Sequence, residues 1–235
     1  SDLLCSDDEF NGVVICLDRF FNHQYFDGND LVAEAGCSII SLSTEAMKRG
    51  LSGLEFASGI PATVGGCIFM NAGAYDGEMS HVVTSVLAVD FEGNIKEYDA
   101  SHLDFGYRHS VFHDNHEVIG EVIMTLQPGD KDAIKARMDE LTEKRESKQP
   151  LEYASAGSTF KRPPGYFAGT LIEQTGLKGL SVGDAQVSHK HAGFVINTGN
   201  AKAKDVLDLI KEVQKRVYDQ HGVHLEPEVR MIGED

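Results

Sequence analysis

The chain has 235 residues, a hydrophobic fraction of 41% and a formal net charge of −16, from 37 acidic residues against 21 Lys plus Arg. That length can bury one large core or two small ones. So acidic a surface repels phosphate backbones and anionic lipids, which argues against nucleic-acid and membrane partners. No apolar run is long enough to cross a bilayer and none has the pattern of a secretory signal. The widely spaced Cys5, Cys16, Cys37 and Cys67 form no CxxC pair. They read as free thiols in a reducing cytoplasm, with no metal knuckle and no disulfide framework.

The first residues run directly into Gly12-Val13-Val14-Ile15, a β-branched run that predicts a strand over 12–17. A non-Met start so close to a buried strand leads to the expectation that upstream sequence has been removed or is not represented. Further strands are expected over 31–35, 82–91, 96–99 and 118–126, with Phe91-Glu92-Gly93-Asn94-Ile95 as a hairpin turn. A short helix fits 42–49, with Gly50 as its stop.

Pro128-Gly129-Asp130 breaks this pattern and the period changes. Ile134, Met138 and Leu141 fall at i, i+4 and i+7, so 131–148 reads as an amphipathic helix with Asp130 as its N-cap. A Gly-, Ser- and Pro-rich loop is expected over 155–165, a short helix near 167–175, and strands around Gln186 and over 192–197. Val206, Ile210, Val213 and Val217 form one apolar helical stripe closed by Gly222. The tail 228–232 alternates like a final strand. The class expected is α+β, with a boundary near Pro128 and no internal repeat.

Four segments carry chemistry. Gly59-Ile60-Pro61-Ala62-Thr63-Val64-Gly65-Gly66, followed by Asn71-Ala72-Gly73-Ala74-Tyr75, is dense in glycine and small residues. Such a stretch lets backbone N–H groups approach a flat ring or a pyrophosphate, although tight turns use the same residues. It is neither a Walker A loop nor a GxGxxG fingerprint. Gly106-Tyr107-Arg108-His109-Ser110 sets a guanidinium beside an aromatic ring, suited to a bidentate grip on a carboxylate or to a surface ion pair. Ser155-Ala156-Gly157-Ser158-Thr159-Phe160-Lys161-Arg162 places a hydroxyl in a glycine turn beside two cations, without the G-x-S-x-G elbow of a nucleophile. Leu225-Glu226-Pro227-Glu228-Val229-Arg230 reads locally as a turn before a strand. Between 158 and 191 four cations (Lys161, Arg162, Lys178, Lys190) face two anions (Glu173, Asp184), with His189 and His191 in addition. In an acidic chain that stretch suits an anionic ligand or a mixed solvated face.

In this order and spacing the segments resemble the UDP-N-acetylenolpyruvoylglucosamine reductase family, from Ser1 to the C-terminus. The resemblance also rests on Gly53-Leu54-Glu55-Phe56-Ala57, on the run 144–153, whose uninterrupted stretch Arg145–Tyr153 looks like the shorter Gram-positive style, and on Lys190-His191-Ala192-Gly193-Phe194. It implies the remainder of a vanillyl-alcohol-oxidase/PCMH-type FAD-binding domain over 1–127, its N-terminal part missing. An α+β substrate domain over 128–227 and a C-terminal strand over 228–235 returning to the FAD part complete the expected organisation. FAD is the implied cofactor, NADPH the reductant, and the enolpyruvyl ether of UDP-N-acetylglucosamine the substrate of a cytoplasmic monomer that makes peptidoglycan precursor. No metal is expected.

The family's roles carry over residue by residue. Ser158 becomes the proton donor, with Arg108 and Glu228 steadying charge on the substrate carboxylate. Ser1, Asp2, Gly59, Ile60, Pro61, Val64, Gly65, Gly66 and Asn71 through Ala72, Gly73, Ala74 and Tyr75 become cofactor contacts. Tyr107, Lys161, Arg162, Lys190 and His191 become substrate contacts. Five positions depart from the family pattern: Asp2 in place of asparagine, Cys67 of alanine, Ala154 of proline, and Asp184-Ala185 of Gly-Gly. Two other readings are a related flavin oxidoreductase with a different substrate and a non-catalytic binder of a nucleotide sugar.

Overall fold

A computed structural model of the protein describes residues 2–8 and 10–233. Two compact units emerge, Val14–Arg145 in one and Ser1–Val13 with Glu146–Asp235 in the other. The helix Lys131–Lys148 runs across the division.

The unit Val14–Arg145 is built on a five-stranded antiparallel sheet in the order Gln24–Asp27, Asp30–Glu34, Val118–Thr125, Val83–Val89, Ile95–Asp99. The apolar residues 83, 86, 88, 119, 122 and 124 are buried, because a period near two sends one side of each strand to the core. Helix Ile39–Arg49 closes that core through Ile39, Leu42 and Ala46. Ser38 caps its start, and Gly50 ends it at φ +71°, a left-handed conformation with little cost for glycine. The turn at Gly93 joins Val83–Val89 to Ile95–Asp99, with Asp90 Oδ1 accepting from the Asn94 amide at 2.9 Å.

The other unit carries a four-stranded antiparallel sheet, Ala154–Ser158, Phe194–Asn197, Ala185–Val187, Ser181–Val182. Helices Ala168–Gln174 and Ala203–His221 bury Leu171, Ile172, Leu209, Val213 and Val217 with it. Gly222 ends the long helix at φ +67°. Leu3–Cys5 and Arg230–Ile232 form a parallel pair in the same unit.

The predicted helices and the strands after residue 30 recur with shifts at their ends. Two expectations do not hold. Residues 12–17 form no strand, and Val13, Val14 and Ile15 are 87%, 76% and 79% exposed. Among the described residues no strand lies beside them, and a β-branched run without ladder partners cannot remain a strand. The first part of the expected 155–165 loop is instead a strand, Ala154–Ser158, because Phe194–Asn197 supplies its hydrogen bonds. The glycine segment, which suited either a close ligand or tight turns, contains a helix, Val64–Phe69. All four cysteines are free, Cys37 and Cys67 buried. Among the described residues no helix is long and apolar enough to cross a membrane.

Candidate active site

The glycine segment lies in the unit Val14–Arg145. Thr63 caps helix Val64–Phe69, its Oγ1 accepting from the Gly66 amide at 3.4 Å. Several of the glycines answer to packing. A β-carbon on Gly65 would meet Ala35 Cβ at 2.9 Å, and one on Gly77 would meet Phe56 at 2.6 Å. Gly66 differs: it is exposed, and a β-carbon there would meet only Thr63 Oγ1, at 3.6 Å. Gly59, Ile60, Ala72, Gly73, Ala74 and Tyr75 are half-buried and Pro61 is exposed, whereas Val64 and Asn71 are sealed in the interior. Tyr75 and Asp76, at φ +50° and +67°, make the two-residue turn of the hairpin Gly73–Ala74 to Gly77–Glu78. Cys67, in the alanine position, is fully buried, and that burial pushes its thiol up to about 12.

Arg108 lies in the same unit, on the segment between Leu103 and helix Phe112–Asn115. Gly106 and His109 exchange backbone hydrogen bonds at 3.1 and 3.3 Å, with Tyr107 and Arg108 at the tip between them. Arg108 adopts φ +56°, and its guanidinium carbon stands 5.1 Å from the Tyr107 ring centroid. The His109 Nε2 atom is 3.3 Å from Asp104 Oδ2 and 3.7 Å from Asp114 Oδ2, and Ser110 Oγ donates to Phe69 O at 2.8 Å. Asn71, 1% exposed, sends Nδ2 to Gly106 O and to Glu78 Oε1, both at 3.1 Å, and its Oδ1 accepts from Ser80 N at 3.0 Å. Sequence reasoning singled out neither Glu78 nor Ser80. Only the two-residue hairpin between Gly73 and Glu78 hints that this carboxylate turns back on Asn71.

The Glu78 carboxyl is held below its usual range, first by the hydrogen bond from the Ser80 hydroxyl, then by Asn71 and the charges of His81 and Arg108, against a burial effect that raises it. A lowered carboxyl contributes stability above its unfolded value, and that contribution disappears as pH falls through the folded value. Urea midpoints measured between pH 7 and pH 3 are therefore expected to fall less steeply for Glu78→Gln than for wild type below the ordinary value of 4.5. Parallel curves would remove Glu78 from the acid response.

Ser158 and Glu228 come together in the other unit. Ser158 is exposed at the end of Ala154–Ser158, paired with Phe194 across a register shift, and follows Gly157 at φ +87°. The Glu228 amide donates to the Thr159 carbonyl at 2.9 Å, and Phe160 bridges Pro227. Glu228 is 5% exposed. Asp2 belongs here too: a β-carbon on Gly157 would lie 2.6 Å from its Oδ1. Ser1 lies outside the described residues.

The cations of 158–191 have partners within the protein. Lys161 pairs with Glu226, Lys178 with Glu173, and Lys190 Nζ donates to Glu146 O at 2.8 Å with Glu152 at 3.8 Å. Arg162 lies over the Phe167 ring, 4.6 Å from its centroid. Exposed ion pairs are weak enough for an anionic ligand to displace. His191 is half-buried, and its Nδ1 accepts from Gly193 N at 3.0 Å. Burial, above all, lowers its pKa and favours the neutral ring.

Comparison with known proteins assigns these two regions. Residues 1–99 match the model of an FAD-binding domain. Residues 149–232 match the C-terminal domain of UDP-N-acetylenolpyruvoylglucosamine reductase. The chain is 52% identical, over its whole length and 78% of the relative's, to the UDP-N-acetylenolpyruvoylglucosamine reductase of Pediococcus pentosaceus. It is 50% identical to that of Clostridium novyi, over its whole length and 76% of the relative's. The crystal structure of the Thermus caldophilus enzyme superposes with a TM-score of 0.79 at 40% identity, covering 89% of this chain and 74% of that one. The residues present fit the cofactor: the open backbone at Gly66 and the small, half-buried surface of 72–74 leave room for a ring or pyrophosphate that a β-carbon or larger side chain would fill. The chain belongs to the UDP-N-acetylenolpyruvoylglucosamine reductase family of FAD-dependent oxidoreductases.

Proposed function

We propose that this chain uses NADPH to reduce the enolpyruvyl ether of UDP-N-acetylglucosamine to UDP-N-acetylmuramate, a step of peptidoglycan precursor synthesis in the cytoplasm. The observation that carries this reading is the hydrogen-bonded placement of the Ser158 strand beside buried Glu228, within the region matched to the reductase's own C-terminal domain. Functionally, residues 1–127 serve the flavin and 128–227 the substrate, and the tail pairs through Arg230–Ile232 with Leu3–Cys5. Gly59, Ile60, Pro61, Gly65, Gly66 and Ala72–Tyr75 hold the cofactor, with Ser1 and Asp2 completing the set.

When bound, FAD would supply the hydride chemistry that links NADPH to the methylene carbon of the enolpyruvyl group. The electron pair of the double bond then resides on the neighbouring carbon and its carboxylate, and Ser158 delivers the proton that carbon must gain. A serine hydroxyl is a weak acid, which suffices against a strongly basic carbanion, and Lys161 and Arg162 favour the alkoxide left behind. Arg108 keeps its charge at every working pH and grips the carboxylate in plane. Buried Glu228 in its neutral form donates to the developing enolate oxygen. Tyr107, Lys161, Arg162, Lys190 and His191 bind the anionic nucleotide sugar.

An anaerobic two-step titration at saturating FAD tests the reading. NADPH is expected to bleach the flavin absorbance, and the enolpyruvyl ether alone to restore it. Bleaching without restoration by that substrate points to a flavin oxidoreductase of different specificity. Absence of flavin absorbance points to a nucleotide-sugar binder.

A further inference from the structure

Asn71 stands in a segment that suggests cofactor contact, yet its side chain bonds to Glu78, Gly106 and Ser80 within the same unit. The residue is 1% exposed and holds φ +41°, a left-handed conformation that asparagine tolerates better than most side chains. Its amide nitrogen has two protons and two acceptors, Gly106 O and Glu78 Oε1, and its oxygen takes the Ser80 amide. Ser80 Oγ donates to the same Glu78 oxygen. One buried amide therefore ties the hairpin 73–78 to a carbonyl 35 residues away in sequence, two residues before Arg108.

Gly106 is the residue whose N–H and C=O are paired with His109 and Asn71, so it fixes the base of the tip that carries Tyr107 and Arg108. The Glu78 carboxylate is close enough to feel the Arg108 charge. Buried, fully satisfied amides of this kind specify one backbone arrangement, because breaking them leaves polar groups unpaired.

We propose that Asn71 is a positioning residue for Arg108, acting through Gly106 O with Glu78 as its second anchor, and is not a cofactor ligand. The inference rests on the reading that Arg108 grips the substrate carboxylate. Misplacing a catalytic group by about 1 Å costs on the order of 10²-fold in rate. Asn71→Ala is expected to speed amide hydrogen exchange across 104–111 in the protein without added FAD. It is also expected to slow flavin reoxidation by the enolpyruvyl ether roughly 10²-fold, while FAD affinity and flavin reduction by NADPH stay at wild-type values. Asn71→Ala with Arg108→Ala should be no slower than Arg108→Ala alone, as for residues that act as a unit.

A drop in FAD affinity with unchanged exchange and reoxidation overturns the proposal, as does additivity of the two substitutions. If Asn71→Ala does not fold, Glu78→Gln decides. It keeps an acceptor for Asn71 and removes the charge facing Arg108, so slowed reoxidation with unchanged FAD affinity supports the proposal and wild-type reoxidation overturns it. Wild-type reoxidation in Arg108→Ala itself shows instead that the carboxylate-gripping role is wrong, and the positioning role falls with it.

Discussion

Ser158→Ala is expected to leave bleaching of the bound flavin by NADPH unchanged and to slow its recolouring by the enolpyruvyl ether by roughly 10²–10⁴-fold, the range general-acid groups contribute. In the proposed mechanism the hydroxyl has no part in taking hydride from NADPH, so the two half-reactions separate its role. Its placement also limits structural side effects. Ser158 is exposed at a strand end, and alanine keeps the backbone pairing with Phe194. Neighbouring Thr159 bears the structural burden: it is 2% exposed, its hydroxyl accepts from Val195 N at 3.0 Å, and its carbonyl takes the Glu228 amide. Stopped-flow absorbance under anaerobic conditions reads both steps. Near-normal recolouring would assign the proton to another donor.

The second large effect concerns Arg108→Lys. Lysine keeps the charge and loses the planar fork, so in the proposed role a carboxylate that gains charge during reaction would be held by one donor in place of two. Substrate reoxidation is expected to slow on the order of 10²–10³-fold, the loss typical when a donor aimed at developing charge is removed. The fall should appear mainly in kcat, because the carboxylate is more basic once the carbanion forms. Both residues meet the same backbone demand at φ +56°, so the comparison isolates the head group. A rise in KM with kcat unchanged would reduce Arg108 to a ground-state anchor.

Much of the fold was legible because its signals are local. The stripes Ile134–Leu141 and Val206–Val217 repeat at helical period, and the helices Lys131–Lys148 and Ala203–His221 follow them. Gly50 and Gly222 stop helices through their own backbone freedom, whatever the rest of the chain does. The strands Val83–Val89 and Val118–Thr125 alternate and stand adjacent in the sheet. The candidate site was legible in another sense: the order and spacing of its segments identified the family without locating a single contact.

Tertiary structure decided what depends on segments far apart in sequence. The run 12–17 has strand composition and no ladder, while Ala154–Ser158 has loop composition and gains one from Phe194–Asn197. Glycine density suited a ligand or tight turns, yet Gly65 and Gly77 answer to Ala35 and Phe56, and within 59–77 it is Gly66 that stays open. Asn71 reads as one more small polar residue until Gly106, 35 positions on, meets its amide. Composition and period arise from each residue and its near neighbours, so the sequence by itself determined the elements and the family. Strand pairing, close backbone approach and the partners of buried polar groups require distant segments to meet, and only the folded chain sets those.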